Sequence, residues 1–276
     1  MKLNNKRTIL VGLAFLSICA FWQMYDTVIP LILTKTFHLN ETFSGAIMAA
    51  DNILALFLLP FFGSLSDRTH TRLGKRMPFI LFGTGCAVIL MNLLPLLDNS
   101  YSAQPSSLKL ASFVIVLGLL LIAMGTYRSP AVALMPDVTP KPLRSRANAI
   151  INLMGAVGGM LYLAVAAVLC PTTQVSASAH FNYQPLFLVV SAVMFVSVGV
   201  LFLTVKEPKL TAENQALEQA HPEWNLAESD GSGHEVLPAP VRRSLGFLMA
   251  SIALWFFGYN GVSTWFWWFV DQVMGQ

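Results

Sequence analysis

The chain has 276 residues and a formal net charge of +3; 55% of its residues are hydrophobic and only 11% are charged. An ordinary soluble domain carries about 25% charged residues, so this composition excludes a soluble globular protein. The small net charge gives no indication of nucleic-acid binding. The spacing of the three cysteines, Cys19, Cys86 and Cys170, matches neither a metal site nor a disulfide framework, and we interpret them as small hydrophobic residues.

Seven apolar segments are each long enough to cross a bilayer, which takes about 20 residues in a helix. Such long continuous runs favour helices, because barrel strands are shorter and alternate in polarity. The segments lie at residues 8–33, 43–65, 78–97, 111–135, 148–170, 185–205 and 244–271. The sequence therefore predicts an all-α membrane protein.

Basic residues concentrate in the N-terminal tail and in the second, fourth and sixth loops. They are Lys2, Lys6, Arg7, Arg68, Arg72, Lys75, Arg76, Lys141, Arg144, Arg146, Lys206, Lys209, Arg242 and Arg243. Cytoplasmic loops of membrane proteins carry an excess of lysine and arginine. The pattern predicts a multi-pass protein of the inner (cell) membrane with a cytoplasmic N-terminus.

The sixth connection, residues 206–243, is polar and rich in glutamate. Its composition predicts a flexible, acidic cytoplasmic linker with a short helix near residues 211–220. The simplest interpretation is a solvated connector, and the alternative is a regulatory segment. The linker separates a six-helix bundle at 1–205 from residues 244–276, the first helix of a second and incomplete bundle.

The first and seventh segments resemble each other. Each follows a basic residue and contains an aromatic run, FWQMYD at residues 21–26 and WFFGYN at residues 255–260. Transporters are often built from internal repeats. We therefore expect the chain to be the N-terminal half, plus one helix, of a longer protein.

The loop between the second and third segments reads GSLSDRTHTRLGKR at residues 63–76. Gly63 allows two helices to approach closely, Asp67 can cap a helix or pair with an arginine, and Gly74 permits a turn. These features predict a gate that breaks and re-forms during transport. The alternative is a basic cluster that only sets membrane orientation.

This loop resembles the signature between helices 2 and 3 of the major facilitator superfamily. Its longer form to Pro78, and a second motif at residues 128–149, RSPAVALMPDVTP followed by RSRANA, resemble two branches. These are the glycoside–pentoside–hexuronide cation symporters and the sucrose–proton symporters. The resemblance implies twelve helices in two six-helix bundles. The candidate gate residues are Gly63, Asp67, Arg68, Arg72, Gly74, Arg76, Asp137 and Arg144.

Three ionisable residues lie inside apolar segments, where such residues are usually functional. At 1.5 Å per residue, Asp26 and Asp51 lie about 10–12 Å from the outer interface and Arg128 about 12 Å from the inner one. A carboxyl group kept from water can hold a proton, or can coordinate Na⁺ with oxygens of Asn52 or Thr27. We predict cation coupling at Asp51, Asn52 and Asp26. A static Asp51–Arg128 ion pair and an Asp26 in a wet outer vestibule are the alternatives.

A sugar site needs aromatic rings for the apolar sugar faces and polar groups for the hydroxyls. The predicted substrate-binding residues combine the two; they are Trp22, Gln23, Tyr25, Asp26, Arg128, Asn152, Tyr259 and Asn260. A Gly155–Gly159 spacing in the fifth segment predicts close helix packing without a ligand role.

The sequence predicts a secondary active transporter that moves a small polar solute, a sugar or glycoside, by symport with H⁺ or Na⁺. The alternatives are a proton-antiport exporter of drugs or metabolites, a dimerising half-size carrier, and a non-transporting membrane protein. Common catalytic motifs are missing, so no enzyme is expected. We expect no metal and no cofactor apart from the coupling cation; the expected partners are the solute, that cation and the lipid bilayer.

Overall fold

The structure is a computed structural model that describes residues 3–171, 180–224 and 239–269. The chain divides into two units, Met1–Ala220 and His221–Gln276. Six long helices form most of the first unit: α1 (Asn5–Leu31), α2 (Glu41–Arg68), α3 (Met77–Ala103), α4 (Ser107–Val138), α5 (Arg144–Leu169) and α6 (Gln184–Thr204). A π-helical turn, Ile32–Thr36, continues α1.

The seven predicted spans are confirmed, because the described residues contain seven helices long and apolar enough to cross a membrane. The seventh belongs to the second unit, as α8 (Ala239–Phe269). Polar caps fix two starts: Asn4 accepts a hydrogen bond from Arg7 N at 3.2 Å before α1, and Asn40 from Phe43 N at 2.9 Å before α2.

Most helices extend past the predicted limits, and the third does so most. The prediction ends at residue 97, where the sequence becomes polar, but α3 continues to Ala103. Asp98 lies in this extension and is completely buried. Tertiary contacts, which hydropathy does not measure, therefore keep this polar turn helical.

The predicted linker begins with a helix that packs on the bundle. Helix α7 (Glu207–Ala220) covers the helix expected near residues 211–220 and begins four residues earlier. Glu207 is 1% exposed and Asn214 is 5% exposed. This part of the linker is therefore not a solvated connector, and it groups with the first unit.

Helix α1 packs against α5, α6 and α4, and α3 packs against α4. The largest fully buried side chains lie on these helices and include Tyr25, Tyr127, Phe21, Phe113 and Phe187. In contrast, α2 buries only Ser44, Met48 and Ser66. Large apolar side chains of α2, including Phe57, are exposed, as expected for helices that contact lipid or another bundle.

Glycines allow α1 and α5 to approach at backbone distance. A Cβ atom on Gly158 would lie 2.1 Å from the carbonyl oxygen of Leu16, and one on Gly155 would lie 2.9 Å from Cys19 Sγ. The predicted Gly155–Gly159 pair is wrong in its second member: a Cβ on Gly159 would only reach Gln23 Oε1 at 3.9 Å. Without a hydrophobic driving force between membrane helices, such close van der Waals packing stabilises the pair.

Replacing Gly158 by alanine should separate α1 from α5, because the new methyl group would overlap the Leu16 carbonyl. We expect Gly158→Ala to lower the free energy of unfolding by about 1–3 kcal/mol, the usual cost of overpacking. The thermal unfolding midpoint of the purified chain in detergent measures this change. Gly199→Ala is the matched control, because nothing lies within 4 Å of a Cβ there; equal midpoints for both variants would contradict the packing role of Gly158.

Candidate functional site

Arg76 joins three helices at one end of the bundle, which we call the arginine-rich end; it comprises residues 63–76, residues 137–144 and α7. Its Nε donates to Asp137 Oδ2 at 2.9 Å, and its Nη2 donates to Asp67 Oδ1. Its Nη1 donates to Ser66 Oγ and, at 3.4 Å, to the carbonyl oxygen of Gly63. The Arg76 side chain is only 6% exposed. The Arg76 guanidinium therefore joins the end of α2 and the end of α4 to the start of α3 by hydrogen bonds.

Glu207, the first residue of α7, caps the start of α3. Its carboxylate accepts hydrogen bonds from the backbone N–H groups of Lys75, Arg76 and Met77 at 2.8–3.1 Å. Arg76 occupies the N-cap position of α3 and makes no side-chain cap bond of its own. A negative charge at a helix N-terminus also interacts favourably with the helix dipole. Glu207 therefore satisfies N–H groups that would otherwise be unpaired in a buried place.

Gly74 makes room for this carboxylate. Its φ angle is +111°, which favours glycine, and a Cβ atom there would lie 2.3 Å from Glu207 Cδ. The sequence predicted the turn at Gly74 but missed Glu207. The position of Glu207 in the sequence could have indicated this role. It follows the apolar segment 185–205 by two residues, on the same side of the membrane as the start of α3, which has no polar cap of its own.

The structure brings together five of the eight predicted gate residues: Gly63, Asp67, Gly74, Arg76 and Asp137. Lys75 joins them, with Nζ 3.2 Å from Asp137 Oδ2. Arg68 and Arg72 are exposed, and within the described residues their side chains take no part in this cluster.

Arg144 binds α7 instead of the cluster. Its Nη2 donates to Glu218 Oε1 at 3.1 Å, and its Nε donates to the carbonyl oxygen of Thr139 at 3.2 Å. Asn214 adds a hydrogen bond from Nδ2 to the carbonyl oxygen of Asp137 at 3.2 Å. Both halves of helix α7 are thus bonded to the other two segments of the arginine-rich end.

Removing the Glu207 carboxylate should loosen the start of α3. Glu207→Ala leaves buried N–H groups without acceptors, which costs about 1–3 kcal/mol for an unsatisfied group. We expect a lower unfolding midpoint and faster hydrogen exchange of the amides at residues 75–77. Glu213→Ala, on the same helix but with a 51% exposed side chain, should change little; an equal effect of the two variants would argue against a cap.

In the middle of the bundle, Arg128 on α4 faces the aromatic run of α1. The Cζ atom of Arg128 lies 5.5 Å from the centroid of the Trp22 ring. The rings of Trp22 and Tyr25 are 5.3 Å apart, in an edge-to-face arrangement. Trp22 Nε1 and the Tyr25 hydroxyl are buried, and neither has a hydrogen-bond partner among the described residues. Buried polar groups are usually paired, and a polar ligand at this place can supply the missing partners.

Of the two predicted coupling acids, Asp51 lies within electrostatic reach of Arg128, and Asp26 within reach of Asp51. Asp51 is half-buried, whereas Asp26 and Asn52 are exposed. Asp51 Oδ1 accepts hydrogen bonds from Asn52 N at 2.6 Å and from Asn52 Nδ2 at 2.8 Å. The charge of Asp51 acts on that of Asp26, and the charge of Arg128 acts on that of Asp51. In the described part of the chain, no direct ion pair joins Arg128 to either acid.

The remaining predicted site residues are more scattered. Gln23 is half-buried and Asn152 is exposed. The Thr27 hydroxyl is occupied by the Tyr162 hydroxyl and by the Gln23 carbonyl oxygen at 2.8 Å. Tyr259 is in the second unit, where its ring stacks on Trp255 with the centroids 6.0 Å apart. The Asn260 side chain is outside the described residues.

Sequence reasoning also missed Asp98. The hydropathy limit placed it just beyond the third span, but the structure buries it completely at the far end of α3. An acidic residue one position after a predicted span, followed by further helix-compatible residues, was the available signal.

Seven helices of bilayer length within the described residues define a multi-pass helical membrane protein. The Major Facilitator Superfamily model matches residues 11–275. The chain therefore belongs to the Major Facilitator Superfamily, in agreement with the resemblance of the loop at residues 63–76.

Three known proteins illustrate the similarity. Sucrose transport protein SUC3 of Arabidopsis thaliana is 32% identical over 139 residues, 46% of this chain and 23% of the relative. Human solute carrier family 45 member 3 is 26% identical over 226 residues, 80% of this chain and 39% of the relative. Sucrose transport protein SUT3 of Oryza sativa subsp. indica is 28% identical over 141 residues, 46% of this chain and 28% of the relative. No solved structure matches the chain.

Proposed function

We propose that this chain is part of a secondary active transporter that moves a small polar solute, a sugar or glycoside, by symport with a cation. Membership in the superfamily and similarity to two sucrose transport proteins support the solute class. The matched regions cover 23–39% of the lengths of these relatives, so the activity of the whole protein is part of the proposal.

The observation that carries the proposal is the group formed by Arg128, Trp22 and Tyr25. Among the described residues, an indole N–H and a phenol hydroxyl are buried without hydrogen-bond partners beside aromatic faces, and a guanidinium carbon lies 5.5 Å from the centroid of the indole ring. Sugars combine apolar ring faces with a rim of hydroxyl groups, so they need this combination of stacking surfaces and hydrogen-bond donors. Gln23, Asp26 and Asn152 would complete the site from α1 and α5; the solute-binding roles of Tyr259 and Asn260 stay predictions.

We propose that the coupling cation, H⁺ or Na⁺, binds at Asp51 with help from Asp26 and Asn52. The two carboxylates act on each other electrostatically, and a bound cation would relieve their repulsion. Asp51 Oδ1 already accepts two hydrogen bonds from Asn52, which orients the carboxylate. No other cofactor is needed in this scheme.

For the gate, we propose that the arginine-rich end faces the cytoplasm of a cell membrane, as the distribution of basic loops favours. The Arg76 cluster would close that side, and its bonds would be remade as two bundles rock in alternating access. Asp67 is 56% exposed although it is bonded to Arg76, so it can also contact a second bundle. We propose the division into a bundle at 1–205, a linker at 206–243 and the first helix of a further bundle at 244–276.

An uptake assay tests the cation site. The protein, expressed from its whole reading frame, is placed in proteoliposomes with labelled sucrose and an imposed H⁺ or Na⁺ gradient. Asp51→Asn keeps the shape of the side chain but removes its charge, so uphill accumulation should fall to simple equilibration while exchange continues. Glu41→Gln, an exposed acid at the start of α2, is the control; wild-type accumulation by Asp51→Asn would remove Asp51 from the coupling site.

A binding assay tests the solute site. Arg128→Ala should weaken sucrose binding roughly 10–150-fold, because a hydrogen bond to a charged group contributes about 1.5–3 kcal/mol. Arg128→Lys should lose less, since it keeps the charge over the Trp22 ring. Equilibrium binding of labelled sucrose provides the measurement. Unchanged affinity in Arg128→Ala would place this arginine in a structural role.

The uptake assay also separates the two transporter classes. Transport of a lipophilic cation instead of sucrose would favour a proton-antiport exporter.

A further inference from the structure

At the end of the bundle opposite the arginine-rich end, one acid is buried more completely than the coupling candidates. Asp98 on α3 is 0% exposed. Neither carboxylate oxygen has a hydrogen bond of standard geometry within the described residues, and the groups that act on it are the Thr36 hydroxyl and the His180 ring. An ionised carboxylate buried in this way costs several kcal/mol unless a positive charge or a proton compensates it.

His180 is the group that can compensate this carboxylate. Its Nε2 lies 4.0 Å from Asp98 Oδ2 and 2.8 Å from Asn99 Oδ1. Because the amide oxygen of Asn99 only accepts, Nε2 carries a hydrogen atom. Nδ1 lies 3.4 Å from the Thr36 hydroxyl, which can donate to a neutral ring or accept from a protonated one. The ring can therefore gain a proton without losing either neighbour.

The histidine ring connects three separate parts of the chain. Thr36 ends the π-helical turn after α1, Asp98 and Asn99 belong to α3, and His180 precedes α6. Asn99 Nδ2 also donates to Asn182 Oδ1 at 2.9 Å, which attaches the segment before α6 a second time. The His180 side chain is 23% exposed, so protons from solvent can reach the pair.

We propose that Asp98 and His180 form a proton-binding pair at this end of the bundle, separate from the Asp26 and Asp51 site. The pair takes up one proton as the pH falls from about 8 to about 5, the range in which histidine changes charge. Whether the carboxyl group or the ring carries it, the proton cancels the buried negative charge. Proton uptake thereby stabilises the contacts of residues 180–183, the segment before α6, with α3 and with the end of α1.

Other titratable groups lie around the pair. Burial raises the pKa of Tyr183, which faces Asp98. The Lys109 ammonium donates to the carbonyl oxygens of Ser100 at 2.7 Å and Gln104 at 2.9 Å, and lysine side chains stay charged at these pH values. The further groups around this end are Lys35, His38, Tyr101, Tyr162 and Cys170. Of these, only His38 is of a type that titrates near neutral pH, and it serves as the control.

Thermal unfolding of the full chain in detergent at pH 5.5 and 7.5 tests the pair. The wild-type midpoint should be higher at pH 5.5 by at least about 2–4 °C, the shift that a single modest interaction gives in a protein of this size. Asp98→Asn has no charge to cancel, so it should show a smaller difference than the wild type. His38→Gln changes an exposed histidine and should keep it.

His180→Gln keeps the proposal testable if Asp98→Asn does not fold. Without the ring, nothing on the segment before α6 can share the proton with Asp98, so proton uptake should no longer strengthen the contacts of that segment. Hydrogen exchange of the amides of Gln184, Leu186 and Phe187, corrected for the intrinsic effect of pH, should show stronger protection at pH 5.5 in the wild type only. A full wild-type pH difference in the midpoint of Asp98→Asn, stronger protection of these amides at pH 5.5 in His180→Gln, or loss of the midpoint difference in His38→Gln would overturn the proposal.

Discussion

The first unit depends on the compensation of charge where helix ends meet at the arginine-rich end. Arg76 is nearly inaccessible to water, and a buried cation is tolerated only with partners of opposite charge. Asp67 and Asp137 supply these partners from α2 and α4. The Glu207 carboxylate then satisfies the N–H groups at the start of α3. Since the members come from different helices and all bond at the start of α3, the cluster sets how α2, α3, α4 and α7 meet.

Close contact between helix backbones, and not the hydrophobic effect, holds the membrane helices together. Lipid tails are as apolar as the side chains that they contact, so burial alone does not bring membrane helices together. Gly158 allows α5 to reach the backbone of α1, and Gly83 allows α3 to reach the backbone of α4 near Tyr127. Contacts of this kind position Trp22 opposite Arg128, since α1 and α4 belong to the same packed group.

Buried polar groups of the first unit differ in how many hydrogen bonds they make. At the arginine-rich end, the buried charged groups of Arg76 and Glu207 are bonded to several partners. In the middle of the bundle, Trp22 Nε1 and the Tyr25 hydroxyl have no hydrogen-bond partner among the described residues, and at the far end the buried Asp98 carboxylate lies 4.0 Å from His180 Nε2. Unsatisfied groups destabilise a fold, and the proposed binding of a solute near Arg128 and of a proton at Asp98 would satisfy these groups.

The sequence by itself determined the seven spans and the helical class, because hydropathy over about 20 residues is a local property that the bilayer acts on directly. It also located the loop at residues 63–76, whose spacing is local. Only the tertiary structure decided that Glu207 caps a helix 130 residues earlier in the chain, that Gly158 and not Gly159 meets the backbone of α1, and that Asp98 is buried beside His180. These are contacts between distant segments, and they follow from how whole helices pack; no window of the sequence contains both partners.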